Sequence, residues 1–164
     1  MPTHRFLAAT LAFLAIPACQ APEFRPTAEE ESVLVTVVEL YGAFCFDAEA
    51  QPDWEAQRRI YLESAVFVPP FLEGGTPRAD DMETFLGDFW IFVTSGPYAG
   101  SGLYERPTEM DVSVSGRLAQ AMVTFEGFLP ESGEVVTRGV DSIHFIHDGE
   151  RWRLTYFATE YETD

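Results

Sequence analysis

The stretch from Arg138 to Tyr161, R-G-V-D-S-I-H-F-I-H-D-G-E-R-W-R-L-T-Y-F-A-T-E-Y, limits what this chain can fold into more than any other. It predicts two long strands joined at Asp148-Gly149, a dipeptide that tolerates the positive φ of a tight hairpin. Alternation places Asp141, Ile143 and Phe145 on one face of the first strand, and Trp152, Leu154 and Tyr156 on one face of the second. Ser142, His144, Arg153 and Thr155 then point the other way. Two strands cannot bury so many aromatics alone, so the remaining chain must supply further strands and a cover of helices.

The upstream sequence predicts that cover. Thr27-Ala28-Glu29-Glu30 matches a capping box and starts a helix whose buried face is expected at Leu34, Val37, Val38, Tyr41 and Cys45. A second, short helix is predicted from Pro52-Asp53 to about Leu62, with Trp54, Arg58 and Tyr61 on one side. Ala65 to Val68 is an apolar strand halted by Pro69-Pro70, and Glu73-Gly74-Gly75 turns the chain. A third helix is expected from about Asp80 to Val93, with Met82, Phe85, Leu86, Phe89 and Val93 on one face and Trp90 and Phe92 widening it. A Gly/Ser/Pro loop, Thr94 to Gly102, precedes strands at Leu103 to Val114 and Leu118 to Leu129, separated by Ser115-Gly116. Pro107 marks an edge or a bulge, and Pro130 to Gly133 turns into the closing hairpin. The fold class is therefore α+β: three helices with a short strand among them, then four long antiparallel strands. A curved sheet wrapped around the helices leaves an apolar pocket on its concave side.

Residues 1–18 have the organisation of a signal peptide, with His4 and Arg5 before an apolar run from Phe6 to Ile16 that is too short to span a membrane. The run ends in Ile16-Pro17-Ala18-Cys19, which resembles a bacterial lipobox apart from Pro17. That resemblance implies a lipid on Cys19, residues 19–27 as a tether, and, with Gln20 following the cysteine, sorting to the outer membrane or periplasm. An ordinary secretory signal fits as well, leaving Cys19 free to pair with Cys45. Otherwise Cys45 is expected to be an inert core thiol.

Composition removes several functions. The chain carries 10 basic residues against 27 acidic ones, a net charge of −17, which repels phosphate backbones and makes nucleic acid an unsuitable partner. Every basic side chain is arginine, so a Schiff-base lysine, a pyridoxal-phosphate site and a lysine-bearing phosphate loop are excluded. His144 and His147 face opposite sides of one strand and cannot share a metal, and HExxH, Cys/His clusters and nucleophile elbows are missing from the sequence. Neither a metal nor a cofactor is expected.

Three segments, I-Y-L-E-S-A-V-F-V-P-P (Ile60 to Pro70), L-Y-E-R (Leu103 to Arg106) and R-G-V-D-S-I-H-F-I-H-D-G-E-R-W-R-L (Arg138 to Leu154), resemble the nuclear transport factor 2-like superfamily. Within it they are most similar to SnoaL-like and ketosteroid-isomerase-like domains. The resemblance runs from about Glu29 to Glu160 and implies a cone-shaped domain over residues 28–164. The superfamily hosts isomerases, cyclases and dehydratases alongside pure binding and assembly modules, so fold does not fix function.

Asp141 is the residue of greatest chemical interest, because alternation sets its carboxyl in an apolar wall where burial would keep it protonated. The resemblance implies the position at which ketosteroid isomerases carry an oxyanion-hole aspartic acid. Their companion base is an Asp directly before a proline; here Val68 precedes Pro69, so that base is absent. The structural alternative for Asp141 is a partner for Arg138 or Arg106. Tyr41 is the tyrosine expected to work with Asp141. Tyr61, Phe67, Trp90, Tyr104, Arg106, Trp152 and Tyr156 are the expected ligand contacts, and Glu105 with Arg106 reads either as a functional acid with a substrate clamp or, the favoured reading, as a solvated ion pair at the sheet edge. The leading expectation is an envelope protein whose pocket binds a small hydrophobic molecule. The alternatives are a cofactor-independent isomerase, lyase or hydrolase using Asp141 with a tyrosine, and a homodimeric assembly module using the outer sheet face with Arg153, Thr155 and Phe157.

Overall fold

The computed structural model describes residues 26–49, 53–70, 76 and 78–162. The signal segment, Cys19, most of the tether and the Glu73-Gly74-Gly75 turn lie outside the described residues.

Helix α1 (Ala28–Phe44) begins with the predicted box: the Thr27 N–H donates to Glu30 Oε2 at 2.7 Å, and the Glu30 N–H donates to Thr27 Oγ1 at 3.2 Å. Two of the four donors left over at the helix start are thereby satisfied. The buried stripe is Val33, Val37, Leu40, Tyr41 and Phe44, which keeps Val37 and Tyr41 of the expected face and replaces Leu34, Val38 and Cys45. Both stripes have helical spacing, but this one buries the larger set of side chains. Val38 is 56% exposed, and Cys45 is the C-cap. Helix α2 (Trp54–Ile60) is capped by Asp53, whose side chain accepts from the Ala56 N–H at 2.9 Å. Gln57 is fully buried and donates through Nε2 to the Ala43 carbonyl at 2.8 Å, fastening α2 to the end of α1.

Tyr61 starts strand β1 (Tyr61–Val68) instead of ending α2, so the strand is longer than expected. It runs parallel to the last strand, while a two-residue β2 (Asp80–Asp81) pairs antiparallel on its other side. Helix α3 (Met82–Ser95), capped by Asp81, follows directly. Strands β3 (Tyr104–Ser115), β4 (Leu118–Phe128), β5 (Val135–His147) and β6 (Trp152–Tyr161) complete a six-stranded, mainly antiparallel curved sheet in the order β2-β1-β6-β5-β4-β3. β3 is an edge, and the pairing skips Thr108 beside Pro107, the irregularity at which a strand proline is tolerated.

The closing hairpin turns through four residues, Asp148 to Arg151, with Gly149 at φ 114°. The Asp148 carboxylate accepts from the Glu150 and Arg151 N–H groups and from Arg153 Nε, which holds its carboxyl well below the usual range. Seven residues on, the pairing skips Thr155: Phe145 faces Leu154, but His144 faces Tyr156. This bulge reverses the inward phase of β6. Trp152 and Leu154 point inward before it, and Phe157 after it. Tyr156 therefore lies on the outer face with its ring 5.1 Å from that of His144, and Phe157 is 6% exposed in the core. Both reverse the expected assignment. The apolar residues exposed on the outer face of the sheet include Leu118 and Met122.

Gly139 sits opposite Phe125 on β4 and Tyr161 on β6. A Cβ there would meet the Phe125 ring at 2.8 Å and the Glu160 carbonyl at 2.6 Å. The backbone carbonyl cannot move aside without spreading the two strands. Gly139→Ala is expected to cost about 1–3 kcal/mol in urea denaturation, the usual range for overpacking. Unchanged stability would mean that the strands yield freely at this point.

Candidate functional site

Helix α1 lies over β3 and α3 lies against β1, and a cavity of about 250 Å³ opens between the helices and the sheet. Four elements each give its walls one phenylalanine: Phe44 of α1, Phe67 of β1, Phe125 of β4 and Phe157 of β6. Phe85, Phe89 and Phe92 of α3 close the remaining side. Phe67 and Phe85 stack at 4.1 Å between centroids, nearly parallel at 8°. Phe44 meets Phe85, Phe89 and Phe157 edge to face. Such packing fixes the rings and leaves an apolar space of defined shape.

Polar groups enter this space at two places. At the inner end stand Asp141 and Thr159, cross-strand neighbours on β5 and β6, with Glu105 of β3 and Tyr161. Asp141 is 2% exposed. Its Oδ1 accepts from Thr159 Oγ1 at 2.7 Å, and its Oδ2 accepts a short hydrogen bond from the Tyr41 hydroxyl, which reaches down from α1. Burial pushes the Asp141 carboxyl up to about 6, and the two hydroxyl donors hold it from rising further. Burial and the Asp141 charge both raise the Tyr41 phenol, so it remains a donor. Glu105 is raised to about 8, first by burial and then by the charge of Asp141. At neutral pH, Asp141 is mainly ionised and Glu105 mainly protonated.

At the outer end Pro69 and Pro70 form a rim with Arg78, Asp80 and Asp88. Arg78 Nε lies 3.0 Å from Asp80 Oδ2, and the same guanidinium pairs with Asp88. Among the described residues, no group of three or more His, Cys, Asp or Glu side chains converges on a metal position. No helix there is long and apolar enough to cross a membrane.

Of the residues singled out from the sequence, the fold brings Phe67 and Asp141 into the cavity wall, with Tyr41 hydrogen-bonded directly behind. The others are placed elsewhere. Tyr61 is enclosed against Phe67 and Phe85, and its hydroxyl has no partner among the described residues. Trp90 is 39% exposed on the far side of α3, packed on Trp54. Tyr104 turns out of the cavity to donate to Asp47 Oδ1 at 2.8 Å. Arg106 follows it to the outer face, where it pairs with Glu126 at 3.0 Å and lies over the Phe128 ring. Trp152 is buried near the turn end of the hairpin, donating through Nε1 to Ser32 Oγ at 2.8 Å. Tyr156 is outside for the reason given by the bulge. Arg138, like Arg106, pairs with Glu126, so neither of the arginines named as its structural partner holds Asp141. Val68 contributes no base. Cys45 is half-buried, its sulfur accepting from the Glu105 N–H at 3.4 Å, and burial raises its thiol.

Glu105 is the cavity side chain that the favoured sequence reading placed at the sheet edge. It was expected to pair with Arg106, yet adjacent residues on a strand face opposite ways, and Leu103 already marks the inner face. Alternation from Leu103 would have found it.

Neither a family model nor a curated protein matches this sequence. Solved structures do match in shape. A protein of unknown function with a cystatin-like fold from Nostoc punctiforme has a TM-score of 0.66 at 10% identity, covering 86% of this chain and 97% of its own. An NTF2-like protein of unknown function from Pseudomonas putida has a TM-score of 0.67 at 11% identity, covering 85% of this chain and 90% of its own. A dehydratase candidate of the NTF2-like family from Streptomyces avermitilis has a TM-score of 0.63 at 18% identity, covering 83% of this chain and 97% of its own. At these identities the likeness establishes an NTF2-like fold and nothing more specific.

Proposed function

We propose that this chain is an exported SnoaL-like member of the NTF2-like superfamily that binds a small hydrophobic molecule between its helices and its sheet. The observation that carries this reading is a cavity of about 250 Å³ walled by phenylalanine with carboxyl groups confined to its ends. Binding sites for small molecules combine such apolar walls with a few convergent polar groups, and pockets for drug-sized ligands run from about 300 Å³ upward. The volume therefore suits a compact molecule of one or two rings. Export, with a lipid anchor on Cys19, is supported by the apolar run that ends in Ile16-Pro17-Ala18-Cys19.

Thermal denaturation against a panel of neutral one- and two-ring compounds tests the reading. A compound present at a hundred times its Kd is expected to stabilise the fold by about 2.7 kcal/mol. A panel that leaves the transition unmoved at millimolar concentrations removes the proposal.

A second reading, acid–base catalysis, is favoured by the differing environments of Glu105 and Asp141. One carboxyl proton-loaded and one mainly ionised at neutral pH is the division of labour that an acid–base pair requires. The dehydratase candidate from Streptomyces avermitilis shares the fold, which makes such chemistry compatible with it. Turnover of a bound compound, lost in both Glu105→Gln and Asp141→Asn, would establish this reading; binding without turnover leaves the first.

A further inference from the structure

The two carboxyl groups at the inner end of the cavity have no counter-charge among the described residues. Asp141 is 2% exposed, and its two partners, Tyr41 and Thr159, are neutral hydroxyls. The arginines nearest in sequence, Arg106 and Arg138, both serve Glu126 on the outer face. The Glu105 carboxyl makes no hydrogen bond or ion pair with any described residue, although its backbone is held by Cys45. Among the described residues the single cation along the cavity is Arg78, which sits at the opposite end between Asp80 and Asp88. A carboxylate withdrawn from water without a counter-charge is costly, and the cost is met either by a proton or by a cation that completes it.

The rest of the wall accepts the same complement. Phenylalanine faces carry negative potential and attract a cation within about 6 Å of the ring centre. An anionic ligand would meet Asp141, Glu105 and the ring faces together, with no donor cation at that end. The net charge of −17 also raises the local concentration of cations near the protein.

The geometry points to a protonated primary amine on a compact apolar or aromatic body as the ligand class. Its ammonium would lie against Glu105 and Asp141, and its body among Phe67, Phe85 and Phe157. This assignment rests on the binding function proposed above and narrows it. An ammonium supplies three donors, enough to bridge both carboxyls, and replaces the missing counter-charge.

Three probes of nearly one shape and different charge test it: phenethylamine, phenethyl alcohol and phenylacetate, each titrated calorimetrically into the wild-type protein at neutral pH. The amine is expected to bind at least tenfold more tightly than the alcohol, and phenylacetate to show no heat. In a Glu105→Gln/Asp141→Asn double variant the amine and the alcohol should bind within twofold of each other. Each single variant is measured in parallel, so a double variant that does not fold leaves the comparison intact, with an intermediate preference expected. Equal binding of amine and alcohol to the wild type, or a preference that survives in the variants, overturns the amine assignment and leaves hydrophobic binding standing. If none of the three binds while the neutral panel does, the amine assignment alone falls; if nothing binds at all, both fall.

Discussion

Asp141→Asn gains stability relative to the wild type as the pH rises, by about 3 kcal/mol between pH 4 and pH 7. Asp141 ionises near its ordinary value when unfolded and at about 6 when folded, a difference of roughly two units at about 1.4 kcal/mol each. Below about pH 4 the carboxyl is protonated in both states and contributes no difference. Between about 4 and 6 the unfolded chain releases the proton while the folded chain keeps it. The folded state then binds more protons, so stability falls with rising pH and levels off above about 6. Asparagine does not titrate, and its oxygen still accepts from the Tyr41 hydroxyl, so the variant escapes the loss. Urea denaturation of both proteins across this range measures it directly. Parallel curves would mean that the carboxyl is not raised and that something charged compensates it. The same substitution removes one of the two causes that raise Glu105, so the Glu105 carboxyl should titrate below 8 in the variant, a change visible by carbon-13 NMR.

Phe67→Ala is the other large effect, a loss of about 3–5 kcal/mol, the usual cost of deleting a buried phenylalanine ring. Phe67 is fully buried, stacked on Phe85, and in edge or tilted contact with Tyr61 and Phe157. Its ring also lines the cavity, so the space left behind opens into it on one side and cannot collapse fully. A fall in Tm of about 10 °C is the corresponding thermal signal for a domain of this size. Two-ring compounds too large for the wild type should then bind the variant and restore part of the loss. A cost below about 1.5 kcal/mol would show that the surrounding rings close over the gap, and that the cavity has no fixed shape.

The architecture was legible because its signals are local. The capping box at Thr27, the proline pairs, the acidic start of α3 and the alternation of β4 and β5 each specify an element without reference to the others. The acid in the wall was legible for the same reason, since Asp141 shares the phase of Ile143 and Phe145. What could not be read depends on pairing between strands. The bulge at Thr155 carries no turn residue to announce it. Without it, alternation assigns Tyr156 to the inside and Phe157 to the outside, which is how one wall of the cavity was lost and a surface residue gained. The α1 stripe was read in part: Val37 and Tyr41 are buried as expected, but Val33, Leu40 and Phe44 flank them in place of Leu34, Val38 and Cys45, a choice that only the surrounding core makes. Tyr104, Arg106 and Trp90 were nominated for their chemistry and excluded by the direction in which their elements present them.

The skipped residue on β6 also divides the labour of one strand. Before Thr155, Trp152 and Leu154 anchor the hairpin beneath the start of α1; beyond it, Phe157, Thr159 and Tyr161 furnish a ring, a donor to Asp141 and a phenol. A regular ladder that kept Thr155 paired would turn the second group to solvent while leaving the first untouched. The protein would keep its scaffold and lose its interior chemistry. What lines the cavity is thus set by the registration of a single strand.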